Sequence, residues 1–364
     1  MRGDGVEFTG RASAAGPAAD GERRNAFDGV GVVVLGACAA WSLLTATAHD
    51  GRPEGVLLAV LAVAAGHAAG RIFGALLPVA APCAGALAGL VLTLTVPHLA
   101  PGPQIVAPLG PAGATAALLT LSAGAACCAA WTAPAPAARL AAGALAAGIT
   151  VTAAVRGSVV GAAACVAVLL CSLAAGRTRR GAGIAVLALA TAVVTGLTWA
   201  VAGSALPDGL ASALEGGLTT HRIELWHDAL HLAGRNSALG VGPGRFGDLS
   251  ATAAAATPSD GKPHSAPLQL AAEQGVVGVI LLAAAYCWML GALWRSPRPT
   301  PVVLTAGAAL TALAAIASVG DALSFTAVSV GAGLLAGLTT ARPLAREPAL
   351  EESDESGESR VRAG

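Results

Sequence analysis

Few side chains in this sequence can do chemistry, and those that can stand at the ends of apolar runs. Only 12% of its 364 residues are charged. Arg222 opens the stretch HRIELWHDALHLA, whose spacing predicts a helix over 221–233, capped by Thr219 or Thr220 and stopped by Gly234. His221, Glu224, Asp228 and His231 form a polar stripe on that helix, whereas Arg222 shares its other face with Leu225, Trp226 and Ala229. An arginine on the apolar face of a surface helix needs an anionic partner where it docks, in a neighbouring helix or in a ligand. His264 stands at the head of an apolar run, where a neutral imidazole can accept a proton from a hydroxyl or simply cap the interface. Glu273 lies two turns further into the same run, and a carboxylate at that depth needs a function or a buried partner. Arg156 sits between two apolar runs, and Arg245 is a further cation with Asp248 beside it.

Other motifs carry less. Residues 242–247 spell GxGxxG, but no strand precedes them and Pro243 lies inside, so a dinucleotide-binding turn is excluded and tight backbone turning is expected. His227 and His231 have metal-compatible spacing, yet no third ligand follows and no HExxH occurs, so no metal is expected. The seven cysteines all fall in apolar runs, without CxxC spacing, and read as small buried hydrophobes.

The elements that must position these residues are membrane helices. The mean hydropathy is +0.70, 55% of residues are hydrophobic, and charge falls far below soluble-domain composition. Zero formal net charge gives no reason to expect a nucleic-acid partner. Runs of about 20 apolar residues lie near 29–48, 54–73, 75–96, 112–132, 137–155, 158–176, 182–203, 266–290, 301–319 and 322–340. The expected fold is therefore all-α: a polytopic membrane protein of about ten spans, with one large extracytoplasmic loop over 204–265 containing short helices. Disordered cytoplasmic tails are expected over 1–28 and 341–364. With both termini cytoplasmic, most of the 21 Lys and Arg residues fall inside, as the positive-inside rule requires. The loop, Arg156 and Asp321 then share the external side. Patterns such as Gly66–Gly70 and Gly85–Gly89 read as close helix packing.

Taken in order, Arg156-Gly157-Ser158, Arg222-Ile-Glu-Leu-Trp226, Gly240-Val-Gly242-Pro-Gly244-Arg-Phe246 and His264-Ser265-x-x-Leu268-Gln269-x-x-x-Glu273-x-Gly275-x-x-Gly278 resemble the O-antigen ligase and polymerase family of bacterial envelope glycosyltransferases. The resemblance spans roughly residues 145–340. It implies a GT-C-type, metal-independent enzyme without a cofactor, lying in the cytoplasmic membrane. Its donor would be a glycan on a polyprenyl (undecaprenyl) diphosphate carrier and its acceptor a glycan or other hydroxyl, as in cell-envelope polysaccharide biosynthesis. Arg156 and Arg222 would bind the diphosphate, with Arg245 as a third contact; His264 would be the general base, and Glu273 and Trp226 would support the site. Ligase, polymerase and protein O-glycosyltransferase differ in acceptor, for which no short signature is legible. A transporter or lipid flippase would instead require ionisable groups near mid-membrane and an internal repeat, and neither is evident. A non-catalytic scaffold leaves the Arg222 and His264 segments unexplained.

Overall fold

The computed structural model describes residues 17–95, 110–156, 158–205, 220–255 and 261–342. Among these are thirteen α-helices, one 3-10 turn and no strand. The first seven helices are α1 (Pro17–His49), α2 (Glu54–Leu76), α3 (Ala80–Thr95), α4 (Gly110–Thr132), α5 (Pro136–Val155), α6 (Val159–Ala175) and α7 (Arg180–Ala202). After the loop helices α8 (Thr220–Arg235), α9 (Phe246–Leu249) and α10 (Ala251–Ala255) come α11 (Ala266–Trp294), α12 (Thr300–Ser318), the 3-10 turn Ala322–Ser324 and α13 (Thr326–Thr340). Seven helices are long and apolar enough to cross a membrane, and α3, α6 and α13 are shorter apolar helices of 16, 17 and 15 residues. The chain is thus an all-α polytopic membrane protein.

Several boundaries differ from the sequence expectation. Helix α1 begins at Pro17 rather than near 29. Helix α3 begins at Ala80 because Pro78 occupies a turn, while Pro82 is tolerated in the first helical turn, where its missing N–H has no partner to lose. Of the tails expected over 1–28 and 341–364, residues 1–16 and 343–364 lie outside the described residues.

Helix α4 is the hub. It is made almost wholly of Ala, Gly, Ser, Thr, Cys and Leu, and 89% of its apolar window is buried among α3, α5, α6, α12 and α13. A helix apolar on every side has no polar face to turn outward, and its small side chains let five neighbours approach. The closest pair is α2 with α13. There a Cβ on Gly66, Gly70, Gly333 or Gly337 would overlap backbone of the facing helix, so the Gly66–Gly70 spacing does serve close packing. Gly89 likewise closes on Ser122 of α4.

Polar contacts gather at two opposite ends of the bundle. At the end holding both the α6–α7 and α11–α12 turns, buried Arg298 donates to the carbonyls of Gly74 (2.7 Å) and Ala341 (3.1 Å), closing the last turns of α2 and α13. Arg180 donates to the Ser296 carbonyl at 2.7 Å and to that of Arg298, and Arg71 pairs with Asp28. The other end, the loop end, carries α8–α10 and the turns α1–α2, α5–α6 and α12–α13.

Candidate active site at the loop end of the bundle

Helix α8 presents the two faces expected of it. Arg222, Leu225, Trp226 and Ala229 are buried, while His221, Glu224 and His231 are exposed. Gly234 does not stop the helix, which runs on to Arg235. Asp228 turns from the stripe to α10, accepting hydrogen bonds from the Ser250 hydroxyl (2.6 Å) and the Thr252 N–H (3.1 Å). Burial alone would push its carboxyl up, but these bonds and the nearby His231 outweigh it and hold the group below its ordinary value. The buried face forms a small core with Phe246 of α9, Leu268 and Ala272 of α11 and Ala202 of α7, which fastens the loop to the membrane helices.

That core brings three polar side chains together. Arg222, only 2% exposed, donates to the Val319 carbonyl at 2.7 Å, where α12 ends. Two residues on, Asp321 faces His264, with Oδ2 4.0 Å from the imidazole Nδ1. Burial raises the Asp321 carboxyl above its ordinary value, and the opposing pull of His264, Lys262 and Arg222 is smaller. His264 is itself buried and has φ +51, a left-handed backbone that a non-glycine residue adopts at some cost. Its strap is held on both sides: the Trp226 indole donates to the Pro263 carbonyl (2.8 Å), and the Ser265 carbonyl accepts the Gln269 N–H (2.8 Å). Trp226 thus bonds to the residue before His264, one helical turn from Arg222.

The glycine-rich segment docks on a break in α11. Gly275 has φ +68 and ψ −166 inside that helix, which frees backbone groups on either side. Val241 and Gly242 donate their N–H groups to the carbonyls of Ala272 and Glu273, each at 2.9 Å, and Val276 donates to Ser237 at 2.8 Å. Gly240 (φ +68) and Gly275 approach so closely that a Cβ on either would overlap backbone of the other segment. The 29 residues of α11 span about 43 Å, more than the roughly 30 Å of a bilayer core. Glu273 lies on the loop side of the break and is 2% exposed. Its carboxylate lies beside the Gly244 and Phe246 backbone N–H groups and accepts, at 3.4 Å, the Gln269 amide. The deep carboxylate therefore has polar neighbours in the loop and in its own helix.

The other two arginines are placed differently. Arg245 donates to the His49 carbonyl at 2.5 Å on the α1–α2 turn, and its neighbour Asp248 faces Arg52 at 4.0 Å instead. Arg156 caps the end of α5 with its side chain exposed. It shares the loop end through α4: Gly161 of α6 packs against Ala116, and Gly113, one turn earlier, faces Asp321. Among the described residues no hydrogen bond or ion pair joins Arg156 or Arg245 to Arg222 or His264. No group of three or more His, Cys, Asp or Glu with metal-binding geometry occurs among them either. Asp321 is the functional candidate to which sequence reasoning gave no role. It lies 57 positions beyond His264 as an isolated acid after an apolar run, and nothing local marks its partner.

A buried arginine and a histidine facing a carboxylate thus lie where the loop docks on the membrane helices. Residues 141–283, from α5 into α11, match the family model described as O-antigen ligase. The family implies a glycosyltransferase-like enzyme acting on a lipid-linked glycan. The match contains Arg156, Arg222, Arg245, His264 and Glu273, while Asp321 lies beyond it. Searches of curated proteins and of solved structures found no match.

Proposed function

We propose that this protein transfers a glycan from a polyprenyl diphosphate carrier to an acceptor hydroxyl, at the external face of the cytoplasmic membrane and with both termini cytoplasmic. The observation that carries the reading is the convergence of Arg222, His264 and Asp321, from three separate elements, at one buried point within reach of the membrane helices. His264 takes the proton of the acceptor hydroxyl as its oxygen attacks the anomeric carbon, and Asp321 holds the imidazole and offsets the charge it gains. The bond from the anomeric carbon to the phosphate oxygen breaks, and the polyprenyl diphosphate leaves with the electron pair. Arg222, with Arg156 and Arg245 as further contacts, matches the negative charge growing on that leaving group. In this reading guanidinium groups supply the charge stabilisation, and the reaction is independent of metal.

The test supplies polyprenyl-diphosphate-linked glycan and acceptor to membranes containing the protein, in the presence of EDTA. Transfer is expected, and Arg222→Ala and His264→Ala, at unchanged expression, should each lower it about 100-fold or more. Full activity in both variants would remove the proposed site. Absence of transfer with every carrier glycan would return the protein to the scaffold reading. The break in α11 gives no support to a transporter, because the loop satisfies the backbone groups it frees.

A further inference from the structure

The carboxylate of Glu273 is buried against the glycine-rich segment. It lies beside backbone N–H groups of that segment, at Gly244 and Phe246. The next residue, Gly247, lies against Gly261, where a Cβ on Gly247 would stand only 2.6 Å from the Gly261 Cα. Gly261 begins the strap Gly261-Lys262-Pro263-His264, whose last residue has a left-handed backbone. A continuous set of contacts thus leads from Glu273 through the glycine segment to His264. Arg222 is held separately, by α8 and the Val319 carbonyl.

We propose that Glu273 is a positioning residue for His264: its carboxylate fixes residues 244–247, which brace the strap carrying the histidine. This rests on the assignment of His264 as general base. Backbone strain at His264 persists only while the surroundings over-determine it, so loosening the brace lets the strap relax and moves the imidazole off its working position. A side chain at Gly247 would force the two segments apart, and at Gly261 the left-handed φ of +64 favours glycine.

Two measurements on the full-length protein in nanodiscs test this. In Glu273→Gln, which keeps size and one acceptor oxygen, hydrogen exchange should quicken in peptides covering 242–248 and 261–266 and stay unchanged across α8. Turnover should fall about 10- to 100-fold with the donor KM nearly unchanged, the signature of a misplaced base. Gly247→Ala disturbs the same path from the other side, so the double variant should lose little more than the worse single one. Unchanged exchange at 261–266, or a loss that falls on donor KM, would overturn the proposal. Exchange does not depend on turnover, so a wild-type protein inactive with every carrier glycan would count against the transferase reading while the exchange result still decides the brace.

Discussion

His264 and Asp321 illustrate how far a residue's role depends on its setting. The histidine stood out as a candidate proton acceptor from its position at the head of an apolar run, but the carboxylate it faces did not, because a pairing across 57 residues leaves no local pattern. Two aspartates at the loop end have opposite effects on stability. Asp228 is held below its ordinary 3.8 despite burial, so folding favours its charged form and that stabilisation is lost as pH falls through the depressed value. Asp321 is raised above 3.8 chiefly by burial, so folding favours its protonated form and stability is lost as pH rises from 3.8 through the raised value. Thermal unfolding across a pH series should therefore show Asp321→Asn flattening the loss on the rising side. Asp228→Asn should flatten the loss on the acid side, and identical pH profiles in all three proteins would contradict both assignments. Asp321→Asn should also lower transfer about tenfold or more, since an unoriented imidazole is a poorer base.

At the scale of elements, helix existence followed from apolar run length, but helix ends depended on contacts. Gly234 lies inside α8, which runs on to Arg235 although its buried face ends at Leu232. The Gly-rich spacing of α2 marked close packing, but not that α13, over 250 residues away, is the helix it packs against. Gly337→Ala should cost about 1–3 kcal/mol, because its methyl would meet the His67 carbonyl and neither backbone can move aside. Gly148→Ala, with nothing within 4 Å of the added carbon, should be neutral or stabilise by up to about 1 kcal/mol through helix propensity. Melting temperatures of the detergent-solubilised variants compare the two; equal values would mean that the α2–α13 contact is not the tight one.

For the whole molecule, the alternation of helices gathers the candidate residues at one end and the Arg180–Arg298 clamp at the other. Ser237 and Thr178 are exposed at these opposite ends. With the orientation proposed above, a membrane-impermeant maleimide should label Ser237→Cys in intact cells and Thr178→Cys only after permeabilisation; the reverse pattern would invert the topology. The amino-acid sequence by itself determined the class of protein, because a bilayer dictates run length and backbone satisfaction residue by residue. It also marked Arg222 and His264, since an arginine on an apolar face and a histidine at a span's mouth are locally anomalous. Only the tertiary structure decided that α4 is the hub, that Asp321 faces His264, that Arg245 turns to the α1–α2 turn, and that Glu273 serves the loop. Each of these is a pairing between distant segments, set by which surfaces fit against one another, and no periodicity along the chain records that fit.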